Sequence, residues 1–449
     1  MLVLCRAFVA LFLVVQTRRP RSADYLHGGE RYAVDGERTS SISTRFGRVV
    51  FTRPVGRQVR DHRATCDLSV DRELGLCAGF SLGVVVTMTR LCAQLAFASA
   101  RSTYEHFQGW APSPRAALRM VDAAGEEARA FLEASPPPDD DGEILVIQVD
   151  AKGAPMISST ENRRRRQPHR QPKGTRRAGR RLRRRAWPRK RRTKGKKSKN
   201  AKMAVVGVLY TLQNTADGME GPIGKRLYAT FTSHEALFVW LRREADKRGY
   251  GRKQSLFLGD GCPHIWYWQK KYFPDAETCL DWFHVVEKLW SAGECLHSEG
   301  SRELSEWMAQ QTERLHRGAI RTILRMLGEQ LAAIPKTGPG NKGKRQRLGD
   351  IAAHFAKHRH RMRYGDLRRR DLDIGTGAAE GAVRNLVGMR FDGPGMRWSR
   401  GRAERLLHLR CILLNGQWDD FAAYLARRGD LRLAAQPIST ETHDAKAAA

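Results

Sequence analysis

The chain has 449 residues, with 80 Lys and Arg against 47 Asp and Glu, a formal net charge of +33, 41% apolar residues and 28% charged residues. That much apolar material can build a packed core in two or three domains and excludes a globally disordered chain, and a mean hydropathy of −0.53 argues against a polytopic membrane protein. A pI near 10.5 points to a polyanionic partner, nucleic acid foremost.

The eight cysteines (Cys5, Cys66, Cys77, Cys92, Cys262, Cys279, Cys295 and Cys411) form no CxxC pair. Their spacing carries neither a zinc signature nor a disulfide framework, and a reducing cytosol is the default. Leu2 to Val15 is almost wholly apolar, broken by Arg6. It is short for a membrane span and lacks the charge order and cleavage site of a signal peptide, so it is expected to be a core-packing segment or a misassigned start.

FGRVVFTR, from Phe46 to Arg53, reads as a strand in a hairpin-like region. Asp71 to Arg90 reads as helical, with Leu74, Leu82, Val85 and Val86 facing inward, and Leu91 to Phe107 as a further helix. Gly109 to Pro112 is a turn, and Ser113-Pro114 is an N-cap and N1 pair opening the next helix. Two helices across a short turn are either a DNA-reading helix-turn-helix or a plain helical hairpin, and hairpins are the commoner case. PPPDDD, residues 136–141, reads as a linker, so residues 1–142 are expected to be a mainly helical N-terminal region.

ILVIQVD, Ile144 to Asp150, is a nearly continuous apolar run ending in a carboxylate, the pattern of a strand buried on both faces. Arg163 to Lys199 then holds 21 Lys or Arg and no acid, leaving +12 for the other 412 residues. Such a block repels itself and lacks apolar side chains to bury, so it is expected to be disordered alone. It is either a solvated loop or an arm that binds phosphates by counterion release, and it would carry no base-reading information. Its arginines 163, 164, 165, 166, 183, 184, 185, 191 and 192 are the candidate phosphate contacts: Arg163, Arg164, Arg165, Arg166, Arg183, Arg184, Arg185, Arg191 and Arg192.

Further strands are expected over Met203–Leu212, Arg226–Thr232, Ser255–Asp260 and Glu277–Trp282, with a helix from Ser233 to about Arg248 and another near Ile265–Tyr272. From His284 helical periodicity dominates, with Trp307, Leu315, Ile323, Leu324, Leu327, Leu331 and Ile334 on one face. Gly338 to Arg347 reads as a basic Gly-rich loop, Ile374 to Thr376 leads into a helix bearing Glu380, and Ala434 to Ala449 reads as a frayed tail.

The expected architecture is a mixed sheet flanked by helices. Were the ILVIQVD and SLFLGD strands parallel neighbours, about 4.8 Å apart, Asp150 and Asp260 would leave adjacent strand ends and either grip one divalent ion or merely cap turns. Mg²⁺ suits such a site because it takes carboxylates, waters and phosphate oxygens.

From Ile144 to Tyr424 the chain resembles the DDE transposases of bacterial insertion sequences, of the Kra-type group related to mutator-like elements. The motifs that carry the resemblance are QVDAKG around Asp150, LGDG around Asp260, LDWFHVVEKLW from Leu280, GTGAAEGAVRN from Gly375, GMRWSRGRAERLLHLR from Gly395 and NGQWDDF from Asn415. LGDG alone is weak; six motifs in order are strong. Before Asp71 the resemblance fades.

The resemblance implies an α/β, RNase H-like core with a five-stranded mixed sheet, interrupted by a helical insertion over 291–370 and completed over 371–430. It also implies a catalytic, metal-holding triad at Asp150, Asp260 and Glu380 with two Mg²⁺ or Mn²⁺ ions. Asp281 and His284 form the D-x-x-H placed near such active sites, where they would orient a metal ligand or touch the scissile phosphate, or else His284 is a packed structural histidine. Thr376 would cap the helix of Glu380, and Arg384, at i+4, would face the same side. Lys152 is read as a phosphate contact or a solvated turn residue. Trp398, between Arg397 and Arg400, is read as a base-stacking platform or a core indole.

The expected partners are element-end and target DNA and a homodimer or larger oligomer on DNA, with no membrane. The expected location is the bacterial cytoplasm, associated with the nucleoid. A degenerate DNA-binding relative and an RNase H-like nuclease without strand transfer are the alternatives.

Overall fold

A computed structural model describes residues 2–27, 29–61, 67–77, 79–158, 160–161, 163, 201–393, 396–428 and 431. The basic run from Arg164 and the C-terminal tail beyond 431 lie outside them, as does the placement of Arg164, Arg165, Arg166, Arg183, Arg184, Arg185, Arg191 and Arg192.

Among the described residues of 1–142 helix exceeds strand, but the first 81 residues also build a sheet that the sequence showed only through FGRVVFTR. Helix α1 (Leu2–Thr17) is followed by strands β1 (Asp24–His27), β2 (Glu30–Thr44) and β3 (Gly47–Gln58), a short helix α2 (Ser69–Glu73), and two-residue strands β4 (Leu76–Cys77) and β5 (Phe80–Ser81). β2 and β3 form a long antiparallel hairpin that contains the FGRVVFTR segment, and β1, β5 and β4 complete a five-stranded sheet. A small core of Leu13, Ile42, Val49 and Phe51 seals α1 against this sheet. The Asp71–Arg90 segment, read as one helix, is therefore broken: pairing of Cys77 with Phe80 interrupts it and only α3 (Leu82–Gln94) is a full helix.

From α3 onward the packing changes. α3, α4 (Phe97–Gln108) and α5 (Pro114–Ala134) contribute Val85, Met88, Tyr104, Met120, Val121 and Leu132 to the same hydrophobic core as the central sheet. Leu95 and Ala96 separate α3 from α4, where one continuous helix was expected. Ser113 caps α5, its Oγ accepting from the Ala116 amide at 3.2 Å. Asp122 and Glu126 on α5 pair with Arg402 and Arg405, so α5 is a packing helix. The PPPDDD segment is tied down as well. Asp141 accepts from Arg248, whose side chain is fully buried, and from Thr211 and Lys253 at 2.6–2.8 Å.

The central sheet comprises β6 (Ile144–Pro155), β7 (Ala201–Thr215), β8 (Gly218–Thr230), β9 (Gln254–Gly259) and β10 (Glu277–Leu280), in the order β10-β9-β6-β7-β8. β7 is antiparallel to both β6 and β8, whereas β9 is parallel to β6 and β10 parallel to β9. The apolar run of β6 sits in the middle, with Leu145, Val146, Ile147 and Val149 fully buried, as a strand covered on both faces requires.

Helix α6 (His234–Lys247), capped by Ser233, covers the face that carries Val149 and its partner Gly207. A Cβ on Gly207 would lie 2.9 Å from Leu241, so glycine lets the helix approach. α7 (Pro263–Tyr272) follows β9. After β10 come α8 (Trp282–Leu296), α9 (Arg302–His316), α10 (Ile320–Ala333), α11 (Asn341–His358) and α12 (Tyr364–Arg369).

Trp307, Leu315, Ile323 and Leu327 are buried as the periodicity predicts, on two helices separated at Gly318. The expected basic loop at Gly338–Arg347 is instead largely the start of α11. Leu348, Ile351 and Phe355 bury its inner face, and the Arg345 guanidinium donates to the Leu331 and Ile334 carbonyls. Tertiary packing overrides Gly343, the one glycine of that stretch inside the helix. The chain closes with α13 (Gly377–Val383), a π-helical turn at Arg384–Gly388, α14 (Met389–Phe391), α15 (Arg400–Leu414) and α16 (Trp418–Arg428). No helix among the described residues is long and apolar enough to cross a membrane.

Candidate active site

Parallel pairing fixes where the first two acids lie. Val149 is opposite Gly259 in the β6–β9 register, so Asp150 and Asp260 are the next residues on adjacent strands, at the same edge of the sheet. Strand spacing puts their backbones about 4.8 Å apart. Asp150 Oδ1 accepts from the Ala151 amide at 2.6 Å and Asp260 Oδ1 from the Cys262 amide at 2.8 Å. The second oxygen of each carboxylate carries no hydrogen bond among the described residues. Burial pushes the Asp150 carboxyl above its ordinary pKa, and the charges of Asp260 and Asp281 add to that rise.

Asp281 leaves the next strand, β10, beside them, its amide donating to the Gly259 carbonyl at 2.9 Å. This carboxylate is buried and fully used. Oδ2 caps α8 by accepting from the His284 amide at 3.0 Å, and Oδ1 accepts from the Thr376 amide at 2.7 Å. Burial would raise its pKa, but its hydrogen bonds to His284 and Thr376 bring the net shift below the ordinary value. The His284 ring lies 3.5 Å from Asp281, and that contact, aided by the Asp260 charge, raises its pKa. The His284 side chain is half open to solvent and is coupled electrostatically to both Asp150 and Asp260.

Glu380 arrives on α13, on the face opposite α6. Gln148, two residues before Asp150 and on the same face of β6, accepts from the Ala379 amide at 3.0 Å through Oε1. Its Nε2 donates to Tyr210 at 2.8 Å and to the Gly375 carbonyl at 3.3 Å, and Tyr210 in turn donates to Asp373. A buried network therefore seats the first turn of α13 over the Asp150 side of the sheet. Glu380 itself is exposed, with no hydrogen bond or ion pair to Asp150 or Asp260 among the described residues.

The expected hydroxyl cap by Thr376 is absent. Its backbone carbonyl bonds the Glu380 amide at 2.8 Å, and its own amide is spent on Asp281. Arg384 makes no ion pair with Glu380 among the described residues, although its amide still donates to the Glu380 carbonyl in the helical i+4 pattern.

The remaining candidates separate clearly. Trp398 is 5% exposed; its indole donates to the Phe391 carbonyl at 3.1 Å and packs between Phe97, Phe391 and Arg390, leaving no face to stack a base. Its backbone clips onto the end of β6 by bonds to Pro155 and Ile157. Arg397 and Arg400 flank it and are exposed. Lys152 is not in a turn: it lies in β6, two residues beyond Asp150, with its amine 3.9 Å from Asp392. Arg163 is exposed.

Asp150 and Asp260 supply hard oxygen donors on two adjacent carboxylates, which fits a divalent ion bound through both. Among the described residues, however, no three His, Cys, Asp or Glu side chains are grouped to hold a metal, so Glu380 stands apart from that pair.

Sequence reasoning missed Gln148, Tyr210 and Asp373. Gln148 left a signal, as the only polar residue inside the ILVIQV run, because a polar group in a strand buried on both faces must be satisfied by something packed on it. No protein-family model matches the chain, and no curated protein matches its sequence.

Proposed function

We propose that this chain is a DNA transposase of the DDE type, which binds the ends of its element and carries out metal-dependent cleavage and strand transfer. The observation that carries the reading is the placement of Asp150 and Asp260 at the ends of neighbouring parallel strands. It is supported by the sheet order β10-β9-β6-β7-β8 with only β7 running antiparallel to both its neighbours, the arrangement expected of an RNase H-like core. The helices between β10 and α13 correspond to the helical insertion in that reading, and the net charge of +33 to a phosphate-rich partner.

Magnesium or manganese, when bound, supplies the charge neutralisation that attack on a phosphodiester requires. Asp150 and Asp260 are the residues that would hold it, with Glu380, on the helix seated over that side of the sheet, as the third acid. Protonated His284 would steady a phosphate oxygen beside Asp260. Asp281 and Gln148 orient their neighbours and stay out of the chemistry: one anchors the start of α8 and of α13, the other the first turn of α13. The reaction would take place in the bacterial cytoplasm on nucleoid DNA, with at least two copies of the chain holding paired ends.

The test is a nicking and end-joining assay on linear element ends with Mg²⁺. Asp150→Asn, Asp260→Asn and Glu380→Gln should each abolish cutting while end binding persists, and a fully active single variant would refute the assignment. The separation of Glu380 from the other two acids favours one alternative, a degenerate binding protein, which predicts binding without nicking for the parent chain. Nicking without joining would identify a nuclease.

A further inference from the structure

Beside the acids, a groove runs between α8 and α11. It encloses a cavity of about 550 Å³ whose walls include Lys288, Ser291, Gln346, Arg347, Asp350 and His354. One end abuts the candidate site. His354 lies so close to Gly261, the residue after Asp260, that a Cβ there would come within 2.2 Å of the imidazole. On α8, His284, Lys288 and Ser291 fall at i, i+4 and i+7 and form one continuous row from Asp260 into the groove.

The other end reaches Gly343 in the first turn of α11. That helix starts at Gly340 without a side-chain cap; the Asn341 amide bonds back to the Gly338 carbonyl at 3.4 Å, and the positive end of the helix dipole lies at this end of the groove, with Lys342 and Lys344 beside it. The groove therefore joins the sheet edge that bears Asp150 and Asp260 to the positive end of a helix dipole, with Lys288 and Arg347 between. Asp350 is the one acid among the side chains lining it.

We propose that this groove holds the phosphate backbone of the DNA strand that leaves the acidic site, with Lys288, Arg347 and the α11 N-terminus as its anion contacts. The inference rests on the nucleic-acid reading above and adds the path of the strand to it. The chemistry is non-specific: cations and backbone amides read phosphate and leave base identity unread. His354 serves as a wall that holds the Asp260–Gly261 turn. Burial and the neighbouring cations Lys288 and His284 push its pKa down to about 4, so it is neutral at physiological pH and adds no charge.

Gly343 offers a clean probe, because a Cβ there meets nothing within 4 Å. Full-length protein is titrated with a fluorescent single-stranded oligodeoxynucleotide in the absence of divalent ions across a range of salt. Gly343→Glu, which places an acid in the groove and improves helix propensity, should weaken binding about tenfold without lowering thermal stability. Gly343→Ala should bind like the parent chain. Lys288→Ala with Arg347→Ala should lower the slope of log affinity against log salt by roughly 1.4, two contacts at roughly 0.7 each for a single strand.

Unchanged affinity and slope in Gly343→Glu and in the double variant would overturn the groove, as would equal loss in Gly343→Ala and Gly343→Glu. Mg²⁺-dependent cutting, measured in parallel, separates the two claims. A parent chain that cuts nothing while Gly343→Glu loses binding refutes the transposase reading and leaves the groove standing; a parent chain that cuts while Gly343→Glu binds as before refutes the groove alone.

Discussion

If Asp150 acts as proposed, stability and chemistry pull against each other at that residue. A carboxyl whose folded-state pKa is raised above its unfolded value binds more protons folded than unfolded as pH climbs through that interval, so its ionisation destabilises the fold at neutral pH and costs nothing well below the unfolded pKa. Asp150→Asn should therefore raise the melting temperature at pH 7, with the gain shrinking as pH is lowered below the ordinary carboxylate range, while cutting is lost. Thermal unfolding at several pH values decides it, and a lower melting temperature at pH 7 contradicts the account. Because the Asp260 charge contributes to the rise, Asp260→Asn should also move the Asp150 titration to lower pH, which carboxyl-selective NMR would register.

At the scale of elements, α13 is held by two polar anchors from different strands. Asp281 accepts from the amides of both Thr376 and His284, and Gln148 accepts from that of Ala379. Asp281→Ala leaves these two amides without their acceptor and should cost about 1–3 kcal/mol of stability. Gln148→Ala should cost a similar amount. If Glu380 acts as proposed, Gln148→Ala should also lower the cutting rate more than end binding; equal losses in both would point to general unfolding.

The strands of the central sheet were legible in the sequence because apolar runs such as ILVIQV and SLFLG are dense and short. The pairing of Asp150 with Asp260 followed once those strands were placed side by side. The N-terminal hairpin was only half visible, through FGRVVFTR, because its partner ERYAVDGERTSSIST is polar and half exposed and carries little periodicity. The base-stacking reading of Trp398 failed because its arginine neighbours in sequence point outward while the indole turns into the core. Gln148, Tyr210 and Asp373 come from segments far apart in sequence, so only the fold unites them.

Across the whole molecule, residues 82–134 are fused to the sheet through shared core and charge pairs. Asp141 is the seam, held by the fully buried Arg248 side chain and by Lys253. Burial raises its pKa, but the Arg248 and Lys253 hydrogen bonds win and hold it below the ordinary value, so its contribution is present above the ordinary carboxylate range and fades as pH falls through the depressed pKa. Asp141→Ala strands a buried guanidinium and should cost about 3 kcal/mol at neutral pH, less in acid, readable as a shift in urea midpoint. Removing residues 163–199, with 21 positive charges, should flatten the salt dependence of DNA binding measured between about 50 and 200 mM, and an unchanged slope would remove that segment from the interface.

The β6–β7 register has a further consequence. The two strands stay paired for five residues beyond Asp150, up to Pro155 opposite Ala201, so the intervening 45-residue excursion departs and returns at a single rung of the ladder. Closing such an excursion costs only about 0.6 kcal/mol for each doubling of its length. Insertions and deletions there should accumulate freely among related chains without shifting the register of the acids, and the excursion is a natural place to graft a foreign module onto the scaffold.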